Sequence, residues 1–251
     1  MLGRLRAARG IARSLLIYYR GAGRRRAMDR LHAGFVGPGD LVFDVGSHVG
    51  DRIASFRRLG CRVVAVEPQP ALVRILRLIY GRDRSVAIEP VAVGAAPGSV
   101  ELRINVANPT VSTASSAFMD AAREAAGWEG QRWERSRVVP VATLDSLIAR
   151  HGRPAFAKID VEGFEAEALE GLSEPLQALS FEFTTIQRDV ALACIDRLER
   201  LGRYRFNAAV GESQQLVHGT WLAAEAARAW IGGLPHAANS GDVYARLDPA
   251  R

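Results

Sequence analysis

The chain has 251 residues, 48% of them hydrophobic and 24% charged, with a formal charge of +6 and a pI near 10.0. A chain this long and this apolar buries a full core, which excludes a disordered or fibrous protein and points to one large α/β domain. The positive charge does not mark a nucleic-acid binder, because residues 1–40 hold nine arginines against Asp29 and Asp40, a net +7 that leaves −1 on the other 211; a phosphate-tracking surface needs its basic side chains spread along it.

The first segment, RLRAARGIARSLLIYYRGAGRRRAMDRL, reads as a basic helical extension over residues 1–35. It is either a helix pair capping the domain or a peripheral contact with an anionic membrane surface or an acidic substrate. Its longest uncharged run, Ser14 to Tyr19, is too short for a secretory leader or a membrane span. The expected location is therefore cytoplasmic, with the basic segment free to touch the inner face of the membrane. Residues 36–251 form the main domain. Within it, 40–45 reads as a strand, 49–60 as a helix with a glycine stop, 62–68 as a strand ended by proline, 70–81 as a helix and 85–93 as a third strand. Such a βαβαβ unit predicts a doubly wound, mostly parallel sheet. GSVELRINV (98–106) looks like an antiparallel addition, and 107–137 loses periodicity, as a long lid-like excursion would. Alternation then returns through the strands RVVPV, AFAKIDV, ALSFEFTT and YRFNAAV with helices between them, and GDVYARL (241–247) supplies a closing antiparallel edge strand. Cys61 and Cys194 have no metal-ligand or redox spacing and read as buried thiols.

Ligands of such sheets bind at the carboxyl ends of the strands, where glycines let them approach the backbone. In LVFDVGSHVGD the first strand ends on Asp44 and runs into Gly46, Ser47, His48 and Gly50. The G-x-x-x-G spacing lacks the G-x-G-x-x-G phosphate fingerprint, and a carboxylate at the turn repels phosphate while attracting a cation. S-adenosylmethionine, cationic and free of phosphate, suits that turn. Glu67, at the end of the second strand and followed by Pro68, stands where a doubly wound fold needs an acid for the ribose hydroxyls, and Val91 and Ala92 stand where the adenine would lie. Further on, Lys158, Asp160 and Glu162 alternate along a strand that should be apolar, so they share one side if the strand continues that far. Lys158 is the single lysine among 33 basic residues, a compact ammonium where the arginine fork would crowd.

FDVGSHVGD, VVAVEPQP, PVAVG, VATLDSL and above all KIDVEGFEAEALEGL resemble, in order and spacing, the FkbM family of S-adenosylmethionine-dependent methyltransferases. The resemblance covers roughly residues 36–247. It implies a class I (Rossmann-like) methyltransferase fold and O-methylation of a hydroxyl on a sugar, a glycolipid or polysaccharide, or a polyketide. By that resemblance Asp44, Gly46 and Gly50 belong to the methionine-end loop, Glu67 is the ribose acid, and Asp160 lies near the transferring methyl. His48 departs from the asparagine frequent in the family; it either bonds the cofactor carboxylate, making binding pH-sensitive, or faces solvent.

Methyl transfer to a hydroxyl needs a base as charge develops. The candidates are Asp160 and Glu162, then Glu182, then His218. Against them stand structural roles, with Lys158 pairing Glu162 and Glu165 capping the next helix. No residue is assigned to a metal, since no spacing demands one; Mg²⁺ on Asp160, Glu162 and Glu182 is the alternative, tested by turnover in EDTA. Ser112, Thr113, Ser115, Ser116 and Trp128 are candidate acceptor contacts, with Phe118 and Trp133 as further stacking surfaces. The expected partners are a small-molecule, glycan or lipid-linked acceptor and a second copy of the chain, with no nucleic acid. The competing functions are a nicotinamide-dependent oxidoreductase, and an inactive cofactor-binding or membrane-recruited module.

Overall fold

The computed structural model describes residues 2–19 and 21–248. Arg20 of the basic segment and the termini of both expected units, residues 1 and 249–251, lie outside them. Two helices, α1 (Leu2–Tyr19) and α2 (Ala22–His32), precede the first strand. The chain then alternates as its hydrophobic periods predict: β1 (Leu41–Val45), α3 (Asp51–Arg58), β2 (Arg62–Val66), α4 (Pro70–Tyr80) and β3 (Val86–Glu89). Strand β3 stops before Pro90, which has no N–H for the ladder. The stretch expected as one strand over 85–93 is therefore two, and β4 (Ala92–Val93) turns away into a second sheet with β5 (Gly98–Ile104) and β6 (Arg135–Ala142), in the order β4-β6-β5.

Between β5 and β6 lies α5 (Ser116–Glu124). The excursion expected as a lid is thus packed: Val111, Phe118, Ala122 and Trp128 make a small core of their own, with Phe118 and Trp128 edge to face at 5.3 Å. The second half of the main sheet follows as α6 (Leu144–His151), β7 (Phe156–Ile159), α7 (Glu165–Glu170), β8 (Ala178–Thr184), α8 (Arg188–Leu201), β9 (Tyr204–Val210), α9 (Ala224–Gly233) and β10 (Ser240–Leu247). Helix α6 starts on a reciprocal cap, Thr143 Oγ1 accepting from Ser146 N at 3.0 Å and Ser146 Oγ from Thr143 N at 3.1 Å, which explains the VATLDSL run in local terms.

The main sheet has seven strands in the order β3-β2-β1-β7-β8-β10-β9. All pairs are parallel except those of β10, which runs antiparallel to both neighbours. The expected antiparallel strand is therefore present at this end of the sheet, inserted between β8 and β9 and paired on both sides. This is the doubly wound, mostly parallel sheet that the strand and helix periods predict. Alternate side chains enter opposite layers. Phe43, Val45, Val64 and Val66 pack with Leu144, Leu169 and Ile195 from α6, α7 and α8, while Val42, Val63 and Ala65 pack with Ile53, Phe56 and Leu76 from α3 and α4. Each fully buried Phe of these layers contributes roughly 1.5–3 kcal/mol.

Helix α2 joins the second layer. Met28, Leu31 and His32 are buried, and the His32 ring stacks on Phe56 at 4.2 Å with Nδ1 2.9 Å from Ser55 Oγ, which itself donates to Asp29 Oδ1 at 2.6 Å. Burial pushes the His32 pKa down to about 3, against the pull of Asp29. His32 is thus neutral in the folded protein and takes a proton only on unfolding. Its contribution is intact above pH 6.5 and is lost as pH falls from 6.5 toward 3, at about 1.4 kcal/mol per unit. Between pH 7.5 and 5, urea unfolding should therefore show the wild type losing about 2 kcal/mol relative to His32→Gln; equal losses in the two proteins would remove His32 as the acid-labile anchor of α2.

Candidate active site

The two glycine-bearing turns meet at the carboxyl ends of β1, β2 and β7. Gly46 and Ser47 donate their backbone N–H groups to Val66 O at 2.9 and 3.1 Å, and Asp160 N donates to Val45 O at 3.0 Å, so the first turn is sutured to both neighbouring strands. Gly46 has φ +82, and a Cβ on it would stand 1.7 Å from Asp160 O. Only glycine allows that approach. Gly50 begins α3 in the left-handed region, under the Tyr80 ring and out of the cleft. His48 shares that left-handed conformation at φ +48, a region that Asn, Asp and His tolerate better than other side chains, which accounts for His where asparagine is expected.

Above these turns lies a cleft of about 820 Å³, counted to its open mouth, lined by Gly46, His48, Glu67, Pro68, Val91, Ala92, Ser112, Lys158, Asp160 and Glu162 among others. Glu67 is 3% exposed; its Oε2 accepts from His48 N at 3.0 Å and its Oε1 from Gln69 N at 2.8 Å. Burial outweighs those two amides and lifts its pKa to about 8. Asp44 does not line the cleft. It is closed off beneath the turn, where Ser47 Oγ donates to its backbone carbonyl at 2.6 Å and neither carboxylate oxygen has a hydrogen-bond partner. Burial raises its pKa to about 6 against the opposing charge of Lys158.

Strand β7 ends at Ile159, so Asp160 and Glu162 belong to the turn and not to the strand. Lys158, 5% exposed, pairs with Asp160, not with Glu162 as the alternative structural role had it. Burial alone would depress the Lys158 ammonium, but Asp160 holds it charged. Glu165 accepts from Val161 N at 2.8 Å and Gly163 N at 3.0 Å, closing the turn ahead of α7. Glu162, with φ +56, and Glu182 from β8 reach Asp160, and one oxygen from each of the three lies within 4.8 Å of the others. Burial first, and neighbouring carboxylates second, push Glu162 and Glu182 well above the usual carboxylate range.

The expected acceptor residues divide. Ser112 lines the cleft beside Thr110. Thr113 lies under it, donating through Oγ1 to Glu162 O at 2.6 Å. Ser115 caps α5 by accepting from Phe118 N at 3.1 Å, Ser116 is the exposed first residue of that helix, and the Trp128 indole donates to Asn239 Oδ1 at 3.1 Å within its own small core. His218 lies apart, in a pocket with Phe206 and Trp230, and Glu89 is held by Arg150 and His151.

Sequence reasoning missed Tyr18. It lines the cleft from α1, edge to face with His48 at 5.4 Å, and the Arg24 guanidinium lies 4.9 Å from its ring centroid. Next to it, Tyr19 Oη donates to Val49 O at 3.0 Å and meets Tyr80 Oη at 3.0 Å. The only signal in the sequence was an aromatic pair at the end of a basic helix. His48 is therefore enclosed instead of solvated, and burial pushes its pKa down to about 4. Arg52, 8% exposed, also lines the cleft, paired with Asp51 at 2.8 Å and Glu212 at 3.2 Å.

Gly46→Ala should lower the melting temperature by several degrees and abolish ligand binding in the cleft, because the added carbon overlaps Asp160 O as well as straining φ. Gly39→Ala is the control: its φ is +88 with nothing near the added carbon, so it should cost only about 1 kcal/mol and leave binding intact. Thermal melts and cofactor titrations of the two variants decide this, and indistinguishable behaviour would show that the contact with Asp160 O is unimportant.

Among known proteins, the model of the Methyltransferase FkbM domain matches residues 44–214. The hexuronic acid methyltransferase AglP of Haloferax volcanii is 29% identical over 154 residues, 60% of this chain and 57% of that protein, so the match spans little more than half of the relative's length. Solved structures with similar chain traces include a TehB-like S-adenosylmethionine-dependent methyltransferase from Corynebacterium glutamicum (TM-score 0.47, 11% identity, 94% of each chain). Another is the precorrin-6y C5,15-methyltransferase of Geobacter metallireducens GS-15 (TM-score 0.46, 12% identity, 89% of this chain and 87% of that one). The match to the family model over most of the main domain settles the assignment: the chain belongs to the FkbM family of S-adenosylmethionine-dependent methyltransferases.

Proposed function

We propose that the chain transfers a methyl group to a hydroxyl of a sugar or sugar-bearing acceptor. The observation that carries this reading is that Asp160, ion-paired to Lys158 and with 27% of its side chain exposed, opens into the same cleft as Glu67. One wall thus suits a nucleoside, and an adjoining corner suits a hydroxyl about to lose its proton. The relative AglP, a methyltransferase of hexuronic acid, supports a sugar acceptor.

The cleft fits S-adenosylmethionine by its own chemistry. Its floor at Gly46 is open to a close ligand, the unpartnered Asp44 carboxylate beneath it favours a cation, and Glu67 is fixed by two backbone amides with acceptor capacity left for ribose hydroxyls. Pro68, Val91 and Ala92 give an apolar wall for the adenine. The cofactor supplies a methyl group activated by its sulfonium. The chain's residues do the rest: they exclude water beneath Tyr18 and His48, orient the acceptor against Ser112 and Thr110, and take the hydroxyl proton. Asp160 is the group placed to take it, partly exposed and paired with Lys158, whereas burial first and neighbouring carboxylates second push Glu162 and Glu182 toward the neutral acid, a poorer base. An acceptor carboxylate needs no base, so the placement of Asp160 as one favours an ether product over an ester.

Two outcomes test the proposal. In the free protein Glu67, near 8, is protonated at pH 7, whereas hydroxyl donors and a positive ligand favour its anion; binding therefore releases a proton. S-adenosylmethionine affinity should tighten as pH rises from 6 to 8, by up to about tenfold per unit, and then level off, while Glu67→Gln binds weakly with a flat profile. Calorimetry in buffers of different ionisation enthalpy reads the proton directly, and its absence would remove Glu67 from the site. For the chemistry, labelled methyl transfer to hexuronate glycosides should give an alkali-stable ether, and Asp160→Asn should lower turnover by about 10²–10⁴ with cofactor affinity little changed. An alkali-labile label would mean an ester and sink the hydroxyl reading.

A further inference from the structure

Residues 1–28 contain no aspartate or glutamate, and helix α1 shows what that one-sided charge is placed against. One face of the helix is fixed to the body. A Cβ on Gly10 would stand 2.9 Å from Val106 O and 3.0 Å from Ala107 O, Ser14 is buried, and Tyr18 lines the cleft. On the opposite face Arg6, Arg9, Arg13 and Leu16 recur at helical spacing and are exposed, with Ile17 beside them. Among the described residues only Arg6 of these three arginines has a carboxylate partner, Glu134 at 3.1 Å. The apolar side chains there belong to a larger set. Six large apolar residues are exposed among the described residues, and four of them, Leu16, Ile17, Leu78 and Ile79, lie at two helix ends joined by a hydrogen bond. Tyr19 Oη at the end of α1 is 3.0 Å from Tyr80 Oη at the end of α4, where Leu78, 82% exposed, and Ile79 stand between the exposed Arg77 and Arg82. Single exposed apolar residues need no explanation, but two pairs set among arginines at linked helix ends mark an interaction surface.

We infer that these two helix ends dock on an anionic lipid bilayer, with Leu16, Ile17, Leu78 and Ile79 entering the interface and the arginines meeting the lipid phosphates. The charge is complementary to such a surface. Arginine stems laid beside Leu and Ile on one arc are the pattern of a helix that lies in the plane of an interface, and no helix among the described residues is long and apolar enough to cross a membrane. Nucleic acid would match the charge but has no use for the four apolar side chains. Residues 41–251 sum to −1, so a negative surface turns the molecule by its N-terminal end. Tyr18 directly follows Ile17 and lines the cleft; docking therefore holds that wall of the cleft within about one helix diameter, roughly 10–12 Å, of the headgroups. The acceptor this favours is a sugar carried on a lipid, a step that rests on the methyltransferase reading above. The docking itself does not.

The test is co-sedimentation of the full chain, without cofactor or acceptor, with vesicles of phosphatidylcholine alone and of phosphatidylcholine mixed three to one with phosphatidylglycerol. The wild type should pellet with the mixed vesicles and not with the neutral ones. Arg9→Gln together with Arg13→Gln should weaken binding about fivefold for each arginine removed. Leu16→Ser with Ile17→Ser, or Leu78→Ser with Ile79→Ser, should weaken it at least tenfold, and all three variants should melt with the wild type because the side chains are exposed. Absence of the wild type from the mixed-vesicle pellet would overturn the inference, as would losses confined to the arginine variant, which mark a site for a soluble polyanion. Equal turnover of lipid-linked and free hexuronate glycosides by the vesicle-bound enzyme would overturn the acceptor class. Vesicle binding by a chain that methylates neither would uphold the docking surface and sink the function proposed for the cleft.

Discussion

The structure depends on how one buried ammonium is placed among carboxylates. Strand register sets Lys158 beside Asp44 on one side and Ser180 on the other, and β8 and β10 bring Glu182 opposite Asp242. By the alternation of the strands, Asp44, Lys158, Glu182 and Asp242 all point into the layer that holds α2 and α3, so a polar row crosses the sheet just above its apolar core. Arg52 and Lys158 are the cations acting on this row, and Lys158 is the one built into the sheet. Removing either partner of such a buried pair leaves an uncompensated charge at a cost of about 3–5 kcal/mol. A lysine suits the place because a single compact ammonium fits into a row of closely spaced carboxylates, where a planar guanidinium would crowd.

The charge of the N-terminal segment is resolved by the same bookkeeping of partners. Arg24 reaches Asp51 at 3.3 Å and Glu212 at 2.8 Å, and Arg58 from α3 returns the contact by holding Asp29 of α2. Part of the basicity is therefore a latch between α2 and the body, with Tyr18 carried to the cleft and Tyr19 to Val49 O and Tyr80. What remains exposed on α1 is a face with Arg6, Arg9 and Arg13 beside Leu16 and Ile17. No helix among the described residues is long and apolar enough to cross a membrane.

The parallel core was legible because each of its strands is followed by its own helix, and period-2 and period-3.6 patterns alternate without ambiguity. The second sheet was not, since periodicity identifies 98–104 and 135–142 as strands but says nothing about partners; they pair with each other, and β4, separated from β3 by Pro90, joins them. In the cleft, Glu67 could be found from its distance to Asp44 because both positions are fixed by one βαβ unit. The meeting of Glu182 with Asp160 and Glu162 could be proposed only as chemistry, since it depends on how β8 registers against β7. Ser115 and Trp128 misled for a physical reason: a serine before a helix and a tryptophan after one have local structural uses that composition cannot separate from ligand contacts.

Two non-glycine residues in the left-handed region bear on how the cleft works. His48 and Glu162 stand one in each turn, each followed closely by a glycine, and both side chains line the cleft. A conformation of this kind costs about 1–2 kcal/mol at each position, and nothing in the packing of the core requires either. Both are held by contacts across the site: His48 N donates to Glu67, and Thr113 Oγ1 donates to the Glu162 carbonyl. The strain is thus stored where the two halves of the cleft face each other, and its release would splay Glu67 from Asp160. The two turns thus fix Glu67 and Asp160 relative to each other from opposite sides of the cleft, through backbone contacts and not through the packing of the core.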